Sequence, residues 1–420
     1  MSRSFTAPDL GLSVDGRVLF VTRAGRMFAY GFLAVVLALY LSALGFDGFR
    51  IGILLTLTLV GDTLISLWLT THADRVGRRR VLIAGAALML GAGVLFAVSR
   101  DFVVLLIAAT IGVISPSGNE VGPFLAVEQA SLSHTIPGER RTNVFAWYNL
   151  AGQVATALGS LAGGLVSASL IRGGTPDVDA YRAVVVAYAV VGAVLAILFT
   201  RLTRGVEVEG VPADDGIARR LGLGRSRPIV LRLAALFSLD AFGGGLVPQS
   251  LIAYWFHLRW GVDAGVLGAM FFAANILAAI SALSAARLSN RIGLINTMVF
   301  THLPSNVLLI LVPLMPTLPL AVIVLLARFS ISQMDVPTRQ SYTIAVVAPD
   351  ERSAAAGVTG VARTTGAAVS PVIAAPLISE GAGALAFVIA GGVKIVYDLL
   401  LYRAFRQLRT PEEEARRAVG

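Results

Sequence analysis

The sequence predicts an all-α membrane protein whose twelve transmembrane helices form two pseudo-symmetric bundles of six. Three observations predict it: a composition no soluble domain carries, a succession of apolar runs of spanning length, and a basic loop that appears once in each half. Of 420 residues, 56% are hydrophobic and only 14% are charged. Mean hydropathy is +0.78, whereas soluble domains are about a quarter charged.

Crossing hydrocarbon takes roughly 20 apolar residues at 1.5 Å each. Windows of about that length place spans at 27–46, 51–71, 80–98, 102–124, 143–168, 181–201, 229–256, 265–287, 293–315, 319–345, 354–378 and 383–403. The stretch before the first is polar and mildly basic and lacks a compact apolar core followed by a small-residue cleavage site. No cleaved signal peptide is therefore expected. Residues 203–227, TRGVEVEGVPADDGIARRLGLGRSR, form the longest hydrophilic interval and follow the sixth span. They divide the chain into a bundle over 1–201, a linker over 202–228 and a bundle over 229–420. Basic residues in short loops mark the cytoplasmic side. With both termini cytoplasmic, only Arg50, Arg100, Arg172, Arg182 and Arg259 fall in loops on the other side, so a multi-pass protein of the cell inner membrane in that orientation is expected.

The loop between the second and third spans reads TTHADRVGRRR over residues 70–80. Asp74, Arg75, Gly77, Arg78 and Arg79 in that spacing resemble the loop G-x-x-x-D-R-x-G-R-R/K between helices 2 and 3 of the major facilitator superfamily, with Thr70 at the family's leading glycine. Half a chain later ARLSNRIGL, residues 286–294, repeats the spacing, with Asn290 at the aspartate position followed by Arg291 and Gly293. Tyr40 and Tyr254, Gly52 and Gly268, and PGERR (137–141) and PDERS (349–353) recur at nearly the same offset, which indicates internal duplication. The resemblance implies two bundles rocking about a central site by alternating access. It implies a monomeric secondary transporter, similar to bacterial drug/proton antiporters, whose partners are a small-molecule substrate, protons and the lipid bilayer. The two basic loops would be its gate.

In the fifth span, Ala155-x-x-x-Gly159-Ser160-x-x-Gly163-Gly164 is similar to the G-x-x-x-G-P-x-x-G-G stretch of antiporters in that superfamily. Small residues four apart also let two helix backbones approach closely, a reading sufficient by itself. Ser370-Pro371-x-x-Ala374-Ala375 takes the corresponding place in the second half.

An ionisable side chain at mid-membrane costs roughly 2.5–3.5 kcal/mol on insertion scales, so each needs an interior position and a partner. Asp240, Asp62 and Glu120 are the candidates for proton coupling, Asp240 first, because burial favours the neutral form of a carboxyl. Asp240 adjoins Gly243-Gly244-Gly245, and Glu120 lies in SPSGNEVGPF, residues 115–124, whose prolines and glycines suit a cavity wall. The fourth span lacks the arginine many drug antiporters carry there. Glu128, Arg232 and Asp398, near the membrane edges, read as structural. Tyr40, Asn149, Gln249, Tyr254, Asp335, Arg339 and Arg363 are the candidates for the substrate cavity, with Asp335 and Arg339 on one face at i, i+4.

Enzymes and nucleic-acid binders are excluded. There is no nucleotide loop after a strand, and the net charge of +9 has no aromatic interleaving for base stacking. Zero cysteines remove thiol chemistry and disulfides. His257 and His302 are isolated from other ligand residues in the sequence, so neither a metal site nor a cofactor is expected. The expected activity is proton-coupled efflux of a small lipophilic molecule. The alternative is proton-coupled uptake or export of a small anion held by Arg339 or Arg363.

Overall fold

The computed structural model describes residues 12–136, 138–207, 224–348 and 351–408. The middle of the linker and parts of the PGERR and PDERS segments lie outside the described residues. Seventeen α-helices follow in order: α1 Val14–Ala34, α2 Leu37–Ala43, α3 Gly48–Val76, α4 Arg78–Val98, α5 Phe102–Ile111, α6 Phe124–Thr135, α7 Gly138–Arg172, α8 Asp177–Thr200, α9 Arg227–Gly245, α10 Gln249–Trp260, α11 Ala264–Ile292, α12 Leu294–Leu311, α13 Leu318–Ile331, α14 Asp335–Ala345, α15 Arg352–Ala368, α16 Pro371–Ser379 and α17 Gly383–Phe405. Among the described residues, ten helical stretches are long and apolar enough to cross a membrane. A bent pair, α1 and α2 meeting at 43°, makes an eleventh, and α5 is a shorter apolar helix.

Two expected spans are corrected. The first begins at Val14 rather than near 27, because Arg23 and Arg26 lower the hydropathy of a segment that is nonetheless buried. The fourth is interrupted between Ile111 and Phe124, where Gly118 and Gly122 adopt φ of +71° and +83°, a conformation favouring glycine. The remaining spans fall where the apolar runs place them.

The two halves repeat each other in detail. Gly77 ends α3 with φ +103° and Gly293 ends α11 with φ +87°, so each basic-loop corner turns on a residue without Cβ. At the other end of these helices Asp47 accepts from Arg50 N at 2.8 Å and Asp263 from Val266 N at 2.9 Å. These are matching N-caps, each of which contributes about 1 kcal/mol.

The halves meet at the end of the molecule away from the basic loops. A Cβ on Gly164 would lie 2.2 Å from the Ala264 carbonyl oxygen, and one on Gly268 would lie 2.7 Å from the Ser160 oxygen. Thus α7 and α11 touch backbone to backbone. Gly159 and Gly163 likewise face the carbonyls of Phe28 and Phe32 on α1. The small-residue stretch of the fifth span is therefore a packing surface for two helices at once. Near the same end Val372 N donates to Thr56 Oγ1 at 3.1 Å, and one apolar core runs continuously through both halves.

Candidate functional site: two buried charge clusters and a polar junction

Each bundle encloses a charge cluster. In the first, Arg23 and Arg26 lie three residues apart on one face of α1. Arg23 Nη1 donates to Glu120 Oε2 at 2.6 Å, its Nε to the Tyr148 carbonyl at 3.0 Å and its Nη2 to Asn149 Oδ1 at 3.3 Å. Arg26 has no exposed surface. Its Nε donates to Glu120 Oε1 at 2.9 Å, and Nη1 and Nη2 donate to the two oxygens of Glu128, both at 2.7 Å. Tyr148 adds its hydroxyl to Glu128, and the Phe124 ring lies 4.3 Å from the Arg26 guanidinium carbon. Such a two-pronged arginine–carboxylate pair combines strength with fixed geometry.

Asp62 on α3 adjoins this cluster and differs from it. Its Oδ1 accepts from Gly122 N at 2.5 Å and from Ser66 Oγ at 3.2 Å. Among the described residues no arginine, lysine or histidine stands within ion-pair distance of it. The break in the fourth span makes this contact, since only an unwound Gly122 frees its N–H for a side chain on another helix.

The second cluster joins four spans. Lys394 Nζ on α17 donates to Asp240 Oδ1 on α9 at 2.5 Å, and Arg339 Nη1 on α14 donates to Asp240 Oδ2 at 3.0 Å while standing 3.1 Å from Asp335 Oδ2. His302 on α12 places Nδ1 2.9 Å from Asp398 Oδ1 and Nε2 3.7 Å from Asp240 Oδ1. Gly243 admits the lysine stem, since a Cβ there would lie 2.8 Å from Lys394 Cγ. Gly245 likewise allows close packing, since a Cβ there would lie 2.4 Å from the Ala367 carbonyl oxygen. Every member of the cluster is buried.

A neutral polar junction lies between the halves. Gln249 Nε2 donates to Ser160 Oγ at 3.1 Å, and Asn275 Nδ2 donates to Gln249 Oε1 at 3.3 Å. Ser250 N donates to the Pro116 carbonyl in the broken fourth span at 3.0 Å, and Ser42 Oγ donates to Tyr254 Oη at 3.3 Å.

The predicted residues therefore separate. Gln249 and Tyr254 lie at the junction between halves. Tyr40 instead turns into the first bundle and donates to the Phe96 carbonyl at 2.6 Å. Asn149 supports Arg23; Asp335 and Arg339 belong to the second cluster. Arg363 on α15 is half-buried and, like Arg328 on α13, makes no ion pair among the described residues; the Nε of each is buried without a hydrogen-bond partner. His302, isolated in the sequence, is in contact with two aspartates, and Asp398 is fully buried. Arg23 and Arg26 were placed before the first span. Their partners Glu120 and Glu128 lie about a hundred residues on, so no local spacing marks them.

At the first basic loop, Asp74 accepts from Arg78 Nε at 2.9 Å. Glu207, at the start of the linker, accepts from the backbone N–H groups of Arg78 at 2.7 Å and Arg79 at 3.2 Å. A carboxylate at the α4 N-terminus meets free N–H groups and the positive end of the helix dipole. The second half has a related clamp: Glu351 accepts from Gly224 N at 2.9 Å and from Arg225 N and Ser226 N, both at 3.0 Å.

Comparison with known proteins agrees with this architecture. The chain is 29% identical over 418 residues to an uncharacterized membrane protein of Saccharomyces cerevisiae, with 93% of each chain covered. Its fold is similar to that of the nucleoside transporter NupG (TM-score 0.72, 13% identity, 94% of this chain and 99% of that one). It is equally similar to a D-xylose-proton symporter (0.72, 13%, 92% and 97%). A bacterial homologue of the human lysosomal transporter Spinster, in an inward-facing occupied conformation, scores 0.71 at 15% identity, covering 93% of this chain and 96% of that one. Residues 19–334 match the family profile of the Major Facilitator Superfamily, and the chain belongs to that superfamily.

Proposed function

We propose that the protein is a proton-coupled antiporter that exports a small lipophilic molecule by alternating access, with Asp62 as the coupling carboxylate. The observation that carries this reading is the charge balance of the first bundle. Glu120 and Glu128 are matched by Arg23 and Arg26, and among the described residues Asp62 is left with hydrogen-bond donors but no cation. A buried carboxylate without a counter-charge costs several kcal/mol to keep ionised and takes up a proton instead. Asp240 and Glu120 are held by cations and serve better as fixed charges.

Closure of the junction at the end away from the basic loops supports a conformation open toward the loop side, which the arginines assign to the cytoplasm. Asp74, Arg75, Gly77, Arg78 and Arg79, with Asn290, Arg291 and Gly293, form the gate in this reading. In this reading the two bundles are residues 1–201 and 229–420, joined by a linker over 202–228. The substrate site lies below Gln249 and Tyr254.

A second reading, transport of a small anion, is favoured by one feature. Among the described residues Arg363 has no carboxylate partner, whereas Arg339 is already shared by Asp240 and Asp335. A guanidinium binds carboxylate or phosphate through paired donors.

Inside-out vesicles tested with lipophilic cations, neutral lipophiles and organic anions, with and without a proton gradient, distinguish the readings. Gradient-dependent accumulation of lipophilic compounds is expected. Accumulation confined to anions selects the second reading, and no gradient dependence for any compound overturns both.

A further inference from the structure

The spans of the second bundle carry more fixed positive charge than negative. Among the described residues, Arg328, Arg339, Arg363 and Lys394 lie inside those spans, against Asp240, Asp335 and Asp398. Lys394 and Arg339 are taken up by Asp240 and Asp335, and Asp398 is met by His302 and Asn306, each at 2.9 Å. Arg328 and Arg363 are left over. A guanidinium stays charged under all physiological conditions, so neither can discharge, and a proton taken up by any of the three carboxylates only enlarges the surplus. The opposite imbalance, at Asp62, lies in the other bundle and is engaged by Gly122 and Ser66.

The two arginines share one incomplete contact. The Nε of each is buried without a hydrogen-bond partner, where a buried donor ordinarily has one. The Phe329 ring lies 5.0 Å from the Arg328 guanidinium carbon, but a ring face offers Nε–H no in-plane acceptor. Ser332 N donates to the Arg328 carbonyl at 3.0 Å, which keeps the helical turn and sets Ser332 on the same face as Arg328. The Ser332 hydroxyl is buried and partnerless as well. Arg363 comes from α15, which packs against α9 and α14. Asp240 and Asp335 act electrostatically on both arginines, so the two guanidiniums border the same cluster.

We propose that Arg328 and Arg363 form a binding site for one oxyanion group, a carboxylate, sulfonate or phosphate ester, with the Ser332 hydroxyl as a further donor. The Nε–H and one Nη–H of a guanidinium make the edge that holds two oxygens of such a group in parallel, and Nε is the atom left without a partner here. A spherical anion such as chloride does not match that edge. The surplus of one charge suits a singly charged group. Such a site sharpens the anion reading above and rests on it: there Arg363 acts alone, and here Arg328 and Ser332 join it from another span. The group belongs either to a free inorganic anion or to the acidic head of an organic cargo.

Binding is measured without a proton gradient. Full-length protein in phosphatidylcholine nanodiscs, which add no net negative headgroup, is dialysed to equilibrium against radiolabelled 2-naphthalenesulfonate at mildly acidic pH. The competitors are unlabelled sulfonate, inorganic phosphate, which is singly charged there, 2-naphthalenemethanol and 2-naphthylmethylammonium. Saturable binding of one sulfonate per chain is expected. Arg328→Gln and Arg363→Gln should each weaken it at least tenfold, and Arg363→Lys, which keeps the charge and loses the fork, should weaken it too. Arg232→Gln, at an exposed position of the same bundle, should bind as wild type does. Each glutamine removes a cation that has no counter-charge, so neither variant should melt below wild type in buffer without these anions. Phosphate that competes as well as the sulfonate identifies a free anion; a sulfonate preference of tenfold or more identifies an organic acid. No saturable binding by wild type overturns the proposal. So does displacement by the neutral or cationic naphthalene as effective as by the sulfonate, unchanged affinity in both glutamine variants, or a lowered melting temperature in both, which marks structural arginines. Saturable binding with no anion transported would keep the site and remove the anion reading; anion transport without this binding would do the reverse.

Discussion

Replacing Arg26 with leucine should cost the protein about 4 kcal/mol at pH 7, and removing Glu128 as well should restore most of it. Arg26 is fully enclosed and holds both Glu128 oxygens at 2.7 Å and Glu120 at 2.9 Å. Without it, Arg23 still pairs with Glu120 at 2.6 Å, but Glu128 keeps only the Tyr148 hydroxyl and a long contact from Thr22 at 3.5 Å. The stranded carboxylate must protonate. At pH 7 that costs about 1.4 kcal/mol for each pH unit above an ordinary glutamate value near 4.3, or about 4 kcal/mol, within the range for breaking a buried pair. The sign follows: the deficit of Arg26→Leu relative to wild type should shrink by about 1.4 kcal/mol for each unit the pH is lowered. Arg26→Leu with Glu128→Leu leaves one arginine facing one glutamate, and apolar replacement of a buried pair is often neutral or stabilising. Denaturant unfolding followed by tryptophan fluorescence in detergent reads each difference. A single variant as stable as wild type, or a double variant as unstable as the single at every pH, would refute the reasoning.

Asp74→Asn should impair transport while membrane insertion and yield stay near wild type, because Asp74 is exposed on one side and its pair with the buried Arg78 contributes about 1 kcal/mol or less to stability; normal transport rates would remove its gating role. Gly164→Leu should arrest closure between α7 and α11, since even a Cβ would meet the Ala264 oxygen at 2.2 Å; wild-type transport would show that this contact is not part of the cycle. For Glu351, burial works to raise the carboxyl, but the N–H groups of Ser226, Gly224 and Arg225 outweigh it and hold the carboxyl below its ordinary value. Its contribution is therefore present above the unfolded value of 4.5 and lost as pH falls below it. The destabilisation caused by Glu351→Gln should be seen at pH 7 and vanish in acid, and a pH-independent difference would contradict the clamp. Reporter fusions near Arg78 should face the cytoplasm and those near Gly174 the opposite side; the reverse pattern would invert the orientation.

How much of this could be read from the sequence depends on the range of the interaction. Spans such as 80–98 and 383–403 follow from apolar length alone, and the helices confirm them at Arg78–Val98 and Gly383–Phe405. The basic-loop corners were legible because Gly77 and Gly293 need a backbone conformation that few other residues adopt. What escaped was decided by partners distant in the chain. Arg23 and Arg26 read as a cytoplasmic tail until Glu120 and Glu128, about a hundred residues on, are seen to neutralise them. His302 read as isolated because Asp398 lies 96 residues away. The break in the fourth span was signalled by its prolines and glycines, yet only the structure shows Gly122 N turned toward Asp62 at 2.5 Å. Hydropathy windows score a residue by its own polarity, and membrane burial of charge depends on the partner.

The most direct test of proton coupling compares wild type with Asp62→Asn in inside-out vesicles, using whichever compound the panel identifies, for gradient-driven accumulation and for substrate exchange without a gradient. Asparagine mimics the proton-loaded carboxyl. The account predicts that Asp62→Asn abolishes accumulation against the substrate gradient while exchange continues, and that Glu120→Gln does not reproduce this separation. Undiminished, gradient-dependent accumulation by Asp62→Asn would contradict it.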